Sequence, residues 1–179
     1  MKLGRKRICV DMDEVMADAV SEHLSRYNRE FNEGLTVADL RGRFIWDVVQ
    51  EERHGALEGY LRSEDFFGVL DVLPDSQRVM LALQQKYEVF IATAAMEVPT
   101  SFTAKYSWLG EHFPFIEASH IVFCGDKSIL KADYLIDDNP RQLAAFSGEG
   151  IVYSSPHNVN VRGYRRVANW LEVEKMFLG

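Results

Sequence analysis

The chain has 179 residues, of which 47% are hydrophobic and 26% are charged, and its formal net charge is −7. This length suits one compact domain with its own core, and the composition is that of an ordinary globular protein rather than a disordered or fibrous one. The acidic balance argues against a protein that wraps a nucleic acid polymer, because such a protein normally presents a basic face. A small anionic substrate would instead need local positive charge from a metal ion or a lysine.

No apolar run is long enough to predict a transmembrane helix, so we expect no membrane partner. The stretch from Met1 to Arg7 is basic but lacks the apolar region of a signal peptide, and we interpret it as a solvated lead-in to a strand. Cys9 and Cys124 fall in apolar runs and form neither a disulfide framework nor a zinc-binding spacing. We therefore expect both to be buried, and the protein to be cytoplasmic.

The first predicted strand is a short apolar run, Ile8 to Val10, that delivers two carboxylates to its end, Asp11 and Asp13. Burying an unpaired carboxylate is costly, and pairing, protonation or a metal ion is the usual remedy. These aspartates are therefore the first candidates for a functional role.

The next segment predicts an amphipathic helix that ends at Gly34. Its apolar positions, at spacings of four, three and four, are Val20, Leu24, Tyr27 and Phe31. Beyond it, aromatic residues and arginines are scattered among charges, and no buried strand is evident. We predict a small inserted helical cap over residues 34–70, with a core made of residues 1–33 and 71–179. Phe44 and Trp46 could stack on a nucleobase, although the cap also needs its own apolar core.

The rest of the chain alternates between predicted helices and strands. Helices are predicted after Pro74, from Pro99, and around Val167, Trp170 and Leu171. Strands are predicted over residues 87–93, 121–124, 134–136 and 151–153. This alternation predicts an α/β fold, with a Rossmann-like, mostly parallel sheet and helices on both faces.

Polar residues follow four of these strands, at the sheet edge where α/β proteins bind ligands. They are Asp11 and Asp13, Thr93, Lys127, and Asp137 and Asp138. Several converging carboxylates would repel one another without a cation, and Mg²⁺ is commonly bound by carboxylates together with a substrate phosphate. A hydroxyl and an ammonium would complete a phosphate-binding site, so the set predicts phosphoryl transfer. Each motif alone is more typical of a turn, a helix cap or a surface lysine.

Together these residues resemble the haloacid dehalogenase-like hydrolases, and more closely the 5′(3′)-deoxyribonucleotidases. The likeness rests on four segments, which are residues 11–18 (DMDEVMAD), 91–93 (IAT), 126–128 (DKS) and 132–140 (ADYLIDDNP). The resemblance implies a Mg²⁺-dependent phosphatase with a small helical cap.

The resemblance also implies roles for the individual residues. Asp11 would be the nucleophile that forms a phosphoaspartyl intermediate, and Asp13 would protonate the leaving alkoxide and later activate water. Thr93 and Lys127 would hold the transferring phosphoryl group. The metal site, which would include the backbone carbonyl of Asp13, would be formed by Asp11, Asp13, Asp137 and Asp138.

Several neighbours of these motifs depart from the pattern of the family. Glu14 stands where glycine is usual, Ala94 and Ala95 follow Thr93 where serine and proline are common, and Gly125 stands where a basic residue can occur. We expect a phosphatase for deoxyribonucleoside monophosphates. The alternatives are a phosphatase for another small metabolite, such as a sugar phosphate, and a binding module disabled by Glu14.

The segment after the fifth predicted strand has no assigned role. His157 lies in the loop after the fifth strand, and we interpret it as structural. Whether the loop over residues 156–160 approaches the site is left open by the sequence.

Overall fold

The computed structural model of the protein describes residues 4–179, so the first three residues of the predicted lead-in lie outside the described residues. Six strands form one sheet in which every neighbouring pair is parallel, in the order β3-β2-β1-β4-β5-β6. The strands are β1 (Arg7–Val10), β2 (Glu88–Thr93), β3 (Ile121–Phe123), β4 (Tyr134–Asp137), β5 (Glu149–Tyr153) and β6 (Arg165–Val167). The predicted Rossmann-like α/β fold is confirmed.

Within the described residues, six α-helices accompany the sheet. They are α1 (Ala19–Phe31), α2 (His54–Arg62), α3 (Ser76–Leu83), α4 (Phe102–His112), α5 (Pro140–Ala145) and α6 (Trp170–Leu178). Within residues 4–179, none of the helices combines the length and the apolar character needed to cross a membrane.

The alternation of side chains along the central strand builds a core on each face of the sheet. Ile8 and Val10 of β1 belong to a large cluster that includes Trp108 of α4 and Trp170 of α6. Cys9, between them in sequence, points to the other face and packs in a cluster with Leu143 of α5. Helices therefore cover both faces, and residues buried on either side explain why the strands read as short, continuously apolar runs.

The segment between α1 and α3 folds into α2 and several short 3-10 turns. A third apolar cluster lies here, and it joins Leu24 and Tyr27 of α1 to Leu40, Ile45 and Leu57. The segment therefore shares its core with α1. Its delimitation as a cap over residues 34–70 stays a prediction.

Three predicted boundaries are wrong by a few residues. Val167 belongs to β6, which pairs with β5, and the final helix begins only after Asn169, whose side chain accepts a hydrogen bond from the Glu172 N–H at 3.0 Å. Helix α1 ends at Asn32, which adopts the left-handed conformation that terminates helices, two residues before Gly34. Pro99 begins a separate 3-10 turn, and α4 starts at Phe102.

The strand order determines where a ligand can bind. The chain builds β1, β2 and β3 outwards in one direction and then returns to place β4 on the other side of β1. In open parallel sheets, the crevice outside the carboxyl ends of two such strands is the usual ligand site. The ends of β1 and β4 are therefore the first place to look for function.

Candidate active site

The ends of β1 and β4 place two aspartates side by side. Asp11 follows β1 directly, and Asp137 is the last residue of β4. Lys127, in the turn after β3, is fully buried, and its Nζ donates to Asp11 Oδ1 and to Asp137 Oδ2, each at 2.5 Å. The lysine therefore fixes the direction of the Asp11 carboxylate at the crevice.

Asp138 adds a third carboxylate to this group. One oxygen each from Asp11, Asp137 and Asp138 lies within 4.8 Å of the others. Burial raises the pKa of Asp138 well above its ordinary value, and the neighbouring Asp137 and Asp11 raise it further. Burial also raises the pKa of Asp11, although Lys127 opposes this effect. Three carboxylates that face one ammonium leave an excess of negative charge, and a hard divalent cation with oxygen ligands fits this donor set.

Asp138 does not cap the helix that follows it, α5. Asn139 is the residue that caps α5, and its side-chain oxygen accepts from the Arg141 N–H at 3.0 Å. Pro140 occupies the first helical position, where its missing N–H has no cost. Asp138 therefore does not serve as the helix cap, and its carboxylate points into the acidic cluster.

Asp13 lies apart from that cluster and has a different cation. Its Oδ2 accepts a hydrogen bond from Nζ of Lys105, a buried residue of α4. The same ammonium donates to Thr93 Oγ1 at 3.0 Å. Thr93, at the end of β2, is fully buried and is linked to the site through Lys105.

A cleft of about 270 Å³ opens over these groups. Its charged residues are Asp11, Asp13, Glu14, Glu97, Lys105, Lys127, Asp137 and Asp138. Its apolar lining includes Phe44, Trp46, Phe67, Ala94 and Ala95. We call Phe44 and Trp46 the aromatic wall of the cleft, and Asp11, Asp137 and Asp138 its acidic floor. A cleft lined in this way suits a small molecule that carries an anionic group and a flat apolar group.

The aromatic wall is joined to the loop after β5. The Phe44 ring stacks on the imidazole of His157, with centroids 4.4 Å apart and planes inclined by 18°. The Trp46 ring meets His23 edge to face at 5.3 Å. Half of Phe44 remains exposed, so its ring is available to a ligand in the cleft.

Glu14 lines the cleft, and its carboxylate accepts hydrogen bonds from a backbone N–H and from a serine side chain. It adopts a left-handed conformation, with φ of 60°. The Val20 N–H at the start of α1 donates to its Oε1 at 2.7 Å, and Ser155 Oγ donates to its Oε2 at 3.3 Å. Burial raises the pKa of Glu14 to about 7. Glu14 thus supports the loop that carries Asp13, and it lies outside the cluster of three carboxylates.

The loop over residues 155–158 supports Asp138 from behind. The Asp138 carbonyl accepts from Asn158 Nδ2 at 2.8 Å and from His157 Nε2 at 3.2 Å. Burial lowers the pKa of His157, which favours the neutral imidazole. The loop therefore contacts both the acidic cluster and the aromatic wall.

The residues predicted from the sequence are largely brought together. The cleft is lined by Asp11, Asp13, Phe44, Trp46, Lys127, Asp137 and Asp138, while Thr93 lies behind Lys105. Sequence reasoning missed Lys105, which sits in mid-helix with no motif to mark it. His157, interpreted from the sequence as structural, contacts the Asp138 carbonyl and the Phe44 ring.

The architecture is that of the haloacid dehalogenase-like hydrolases. The chain superposes on the haloacid dehalogenase-like hydrolase SP0104 from Streptococcus pneumoniae with a TM-score of 0.65 and 11% identity, covering 97% of this chain and 98% of that one. It superposes on the hydrolase YfnB from Bacillus subtilis, solved with bound magnesium, with a TM-score of 0.62 and 13% identity, covering 97% and 99% of the two chains. At these identities the likeness concerns the fold.

The sequence defines a narrower group. Residues 5–179 match the family described as 5′ nucleotidase, deoxy (Pyrimidine), cytosolic type C protein. A Staphylococcus aureus (strain Mu50) protein, provisionally named a 5′(3′)-deoxyribonucleotidase, is 47% identical over 98% of this chain and 97% of its own length. The 5′(3′)-deoxyribonucleotidase of Bacillus subtilis (strain 168) is 38% identical over 97% and 99% of the two chains. The chain belongs to this family and is a haloacid dehalogenase-like enzyme.

Proposed function

We propose that the protein is a Mg²⁺-dependent phosphomonoesterase that hydrolyses deoxyribonucleoside monophosphates through an aspartyl-phosphate intermediate. The observation that carries the proposal is the placement of Asp11. Its carboxylate lies at the crevice between β1 and β4, is held by the buried Lys127, and faces a cleft that has an aromatic wall. A carboxylate fixed in this way can attack phosphorus, while the ammonium beside it attracts the phosphoryl oxygens.

The reaction would proceed in two steps on the residues of this chain. In the first step, which starts from the protonated form of Asp13, an Asp11 oxygen forms a bond to phosphorus and the bond from phosphorus to the sugar oxygen breaks. Asp13 gives its proton to that oxygen and becomes a carboxylate. In the second step, water attacks phosphorus and gives a proton to Asp13, and the bond between Asp11 and phosphorus breaks. Inorganic phosphate leaves, and both side chains return to their starting states.

The metal would be held by Asp11 and Asp138, with Asp137 directly or through water, and by the backbone carbonyl of Asp13. The fit rests on three buried carboxylates that lie close together, with Lys127 as the ammonium that contacts two of them. When bound, Mg²⁺ would neutralise charge on the phosphate and allow two anions to approach each other.

The substrate class is supported by the aromatic wall and by the named relatives. Phe44 and Trp46 line the same cleft as Asp11, Asp137 and Asp138, which supports a substrate that carries both a phosphate and a base. The Bacillus subtilis relative carries the name 5′(3′)-deoxyribonucleotidase. We also propose a cytoplasmic location, which the buried free thiols of Cys9 and Cys124 support.

The test is phosphate release from a panel of deoxyribonucleoside monophosphates, ribonucleoside monophosphates and sugar phosphates, measured with Mg²⁺ and with EDTA. We expect metal-dependent release that is fastest with the deoxynucleotides. Asp11→Asn should abolish release, because the amide is not a nucleophile and differs little in volume. Asp71→Asn, a change to an exposed aspartate away from the cleft, is the matched control and should keep full activity.

Three other results of this experiment would each contradict a different part of the proposal. Release confined to sugar phosphates would keep the phosphatase chemistry and reject the nucleotide as the substrate. Substantial activity in Asp11→Asn would reject Asp11 as the nucleophile. Silence across the panel would contradict the proposed enzyme activity.

A further inference from the structure

Lys105 is a buried cation that the two-step reaction does not use. Its side chain is only 3% exposed, although it belongs to a surface helix, α4. A lysine ammonium is strongly hydrated, and its burial is unfavourable unless other groups compensate for the lost water. The contacts of Lys105 should therefore show what this lysine is for.

One of these contacts is to a reacting group, Asp13. The ammonium donates to Asp13 Oδ2 and to Thr93 Oγ1, and it lies 4.4 Å from the centroid of the Phe67 ring. The other carboxylate oxygen, Asp13 Oδ1, is shielded from water and has no hydrogen-bond partner within residues 4–179. In the described part of the chain, Lys105 is thus the one group that fixes the direction of the Asp13 carboxylate.

The contact with Thr93 has a directional consequence as well. An ammonium can only donate, so Thr93 Oγ1 uses a lone pair towards Lys105. The hydroxyl hydrogen of Thr93 is then free to be donated to another acceptor. A single ammonium therefore sets the orientation of two polar groups at the ends of β1 and β2.

We propose that Lys105 is a positioning residue that holds the Asp13 carboxyl group in place to protonate the leaving oxygen of the substrate. The inference rests on the proposed function, in which Asp13 gives a proton to the sugar oxygen as its bond to phosphorus breaks. It makes the site suited to phosphate esters of ordinary alcohols, which are poor leaving groups. Esters of acidic phenols depart without this proton and should need Lys105 much less.

The experiment compares two esters in the purified full-length protein with Mg²⁺. One is a deoxyribonucleoside monophosphate, and the other is p-nitrophenyl phosphate, whose leaving group is stable as an anion. The quantity kcat/KM reports only the steps up to phosphorylation of Asp11, so the later role of Asp13 in activating water does not enter. In Lys105→Met we expect kcat/KM to fall about 100-fold for the deoxynucleotide and only a few-fold for p-nitrophenyl phosphate.

A second readout follows from the later step. Asp13 is still needed to activate water, so Lys105→Met should release a burst of p-nitrophenolate equal to the enzyme concentration before slow turnover. Lys131→Met, which changes an exposed lysine, is the matched control and should alter neither ester nor produce a burst.

A double-mutant cycle covers the case in which Lys105→Met unfolds because it leaves a carboxylate unpaired. The variant Asp13→Asn/Lys105→Met removes both charges and should fold. If Lys105 acts through Asp13, adding Lys105→Met to Asp13→Asn should lower kcat/KM for the deoxynucleotide by less than about threefold.

Two results would overturn the inference alone, namely equal losses on the two esters, or losses in the cycle that multiply. A wild-type protein that hydrolyses neither ester would overturn the proposed function, and the inference with it.

Discussion

The two buried lysines of the site show how single residues balance charge beneath the cleft. Burial by itself lowers the pKa of Lys127, but Asp11 and Asp137 outweigh this effect and keep the side chain charged. Lys105 is compensated by Asp13 and by the Phe67 ring. Lys127 therefore holds Asp11 and Asp137, and Lys105 holds Asp13. Replacement of either lysine by a neutral residue would leave its carboxylates without that partner.

The buried His23 makes stability depend on pH at a position away from the acidic cluster. Burial lowers its pKa to about 4, whereas in the unfolded chain it titrates near 6.5. Below pH 6.5 the unfolded state binds a proton at His23, whereas the folded state does not bind it until the pH approaches 4. The free energy of unfolding therefore falls as the pH drops from 6.5 towards 4. Between pH 7.5 and pH 5 the loss should be about 2 kcal/mol in the free energy of unfolding.

Urea titrations of the wild type and of His23→Phe, at both pH values and in EDTA, would measure this contribution. His23→Phe removes the proton-binding group and keeps an aromatic ring against Trp46 and Phe66. The free energy of the wild type relative to His23→Phe should therefore be lower at pH 5 than at pH 7.5. His23→Gln should show the same shift, and a constant difference between the two pH values would contradict the assignment.

The sequence predicts the residues that follow strands better than those on helices. Asp11, Asp137 and Asp138 come at strand ends, and parallel strands bring their carboxyl ends to one edge whatever the detailed packing. Lys105 reaches the same edge from α4, and whether a helical side chain does so depends on how the helix lies against the sheet. No local pattern in the sequence encodes that angle.

At the level of elements, the loop after β5 contacts the segment between α1 and α2. The Gly42 N–H donates to the Pro156 carbonyl at 2.9 Å. Gly42 has φ of 75°, and a Cβ atom built there would lie 2.7 Å from Asn160 Nδ2. The positive φ explains why glycine occupies this position, and the side chain of Asn160 would have to move to make room for a Cβ atom. Together with the stacking of Phe44 on His157, this contact joins the segment that carries Phe44 to the loop that also contacts Asp138.

Phe44 should therefore contribute to the binding of a base more than to the chemistry at phosphorus. Stacking of one base on one aromatic ring is worth about 1–3 kcal/mol. For Phe44→Ala we expect KM for a deoxynucleotide to rise about tenfold, with kcat little changed, and KM for p-nitrophenyl phosphate to change much less. Steady-state kinetics on both esters would measure this difference.

The matched control for that experiment is Val37→Ala. Val37 is also exposed in the segment between α1 and α2, but it does not line the cleft. It should leave both KM values unchanged. Equal increases in KM for the two esters in Phe44→Ala would show that Phe44 supports the site in general rather than the base.

The elements that the sequence failed to predict are those with weak local signals. β6 has only three residues, two of them arginines, and it exists because it pairs with the edge of β5. The longer apolar runs of β1, β2 and β4 were recognisable because both faces of these strands are buried. Pairing with a partner that is remote in sequence decides β6, and that partner is not visible in the segment itself.

Across the whole molecule, two buried tryptophans donate hydrogen bonds from helices of the core to the backbone of segments around the cleft. Trp170 of α6 donates from Nε1 to the Val15 carbonyl at 2.7 Å, just after Asp13 and Glu14. Trp108 of α4 donates to the Leu70 carbonyl at 2.8 Å, in the segment between α2 and α3. The floor of the cleft is thereby linked to helices on one face of the sheet. This rigid frame can hold three carboxylates close together at a cost in stability.

The unfavourable burial of these three carboxylates predicts how the free energy of unfolding changes when the metal is removed. The raised pKa of Asp138 means that its ionised form disfavours the folded state at neutral pH, so Asp138→Asn in EDTA should be at least as stable as the wild type. A cation that binds only the folded state stabilises it by about 2.7 kcal/mol at 100 times its Kd. With Mg²⁺ at pH 7.5 the order should reverse, because the wild type gains this stabilisation and Asp138→Asn largely does not.

Urea titrations at pH 7.5, in EDTA and in MgCl₂, would reveal this crossing without any measurement of activity. Asp71→Asn should follow the wild type in both conditions, because its carboxylate is exposed and lies outside the cluster. If Mg²⁺ stabilises Asp138→Asn as much as the wild type, Asp138 is not a ligand. If it stabilises neither, the excess negative charge of Asp11, Asp137 and Asp138 is balanced in another way, and the metal-dependent mechanism must be abandoned.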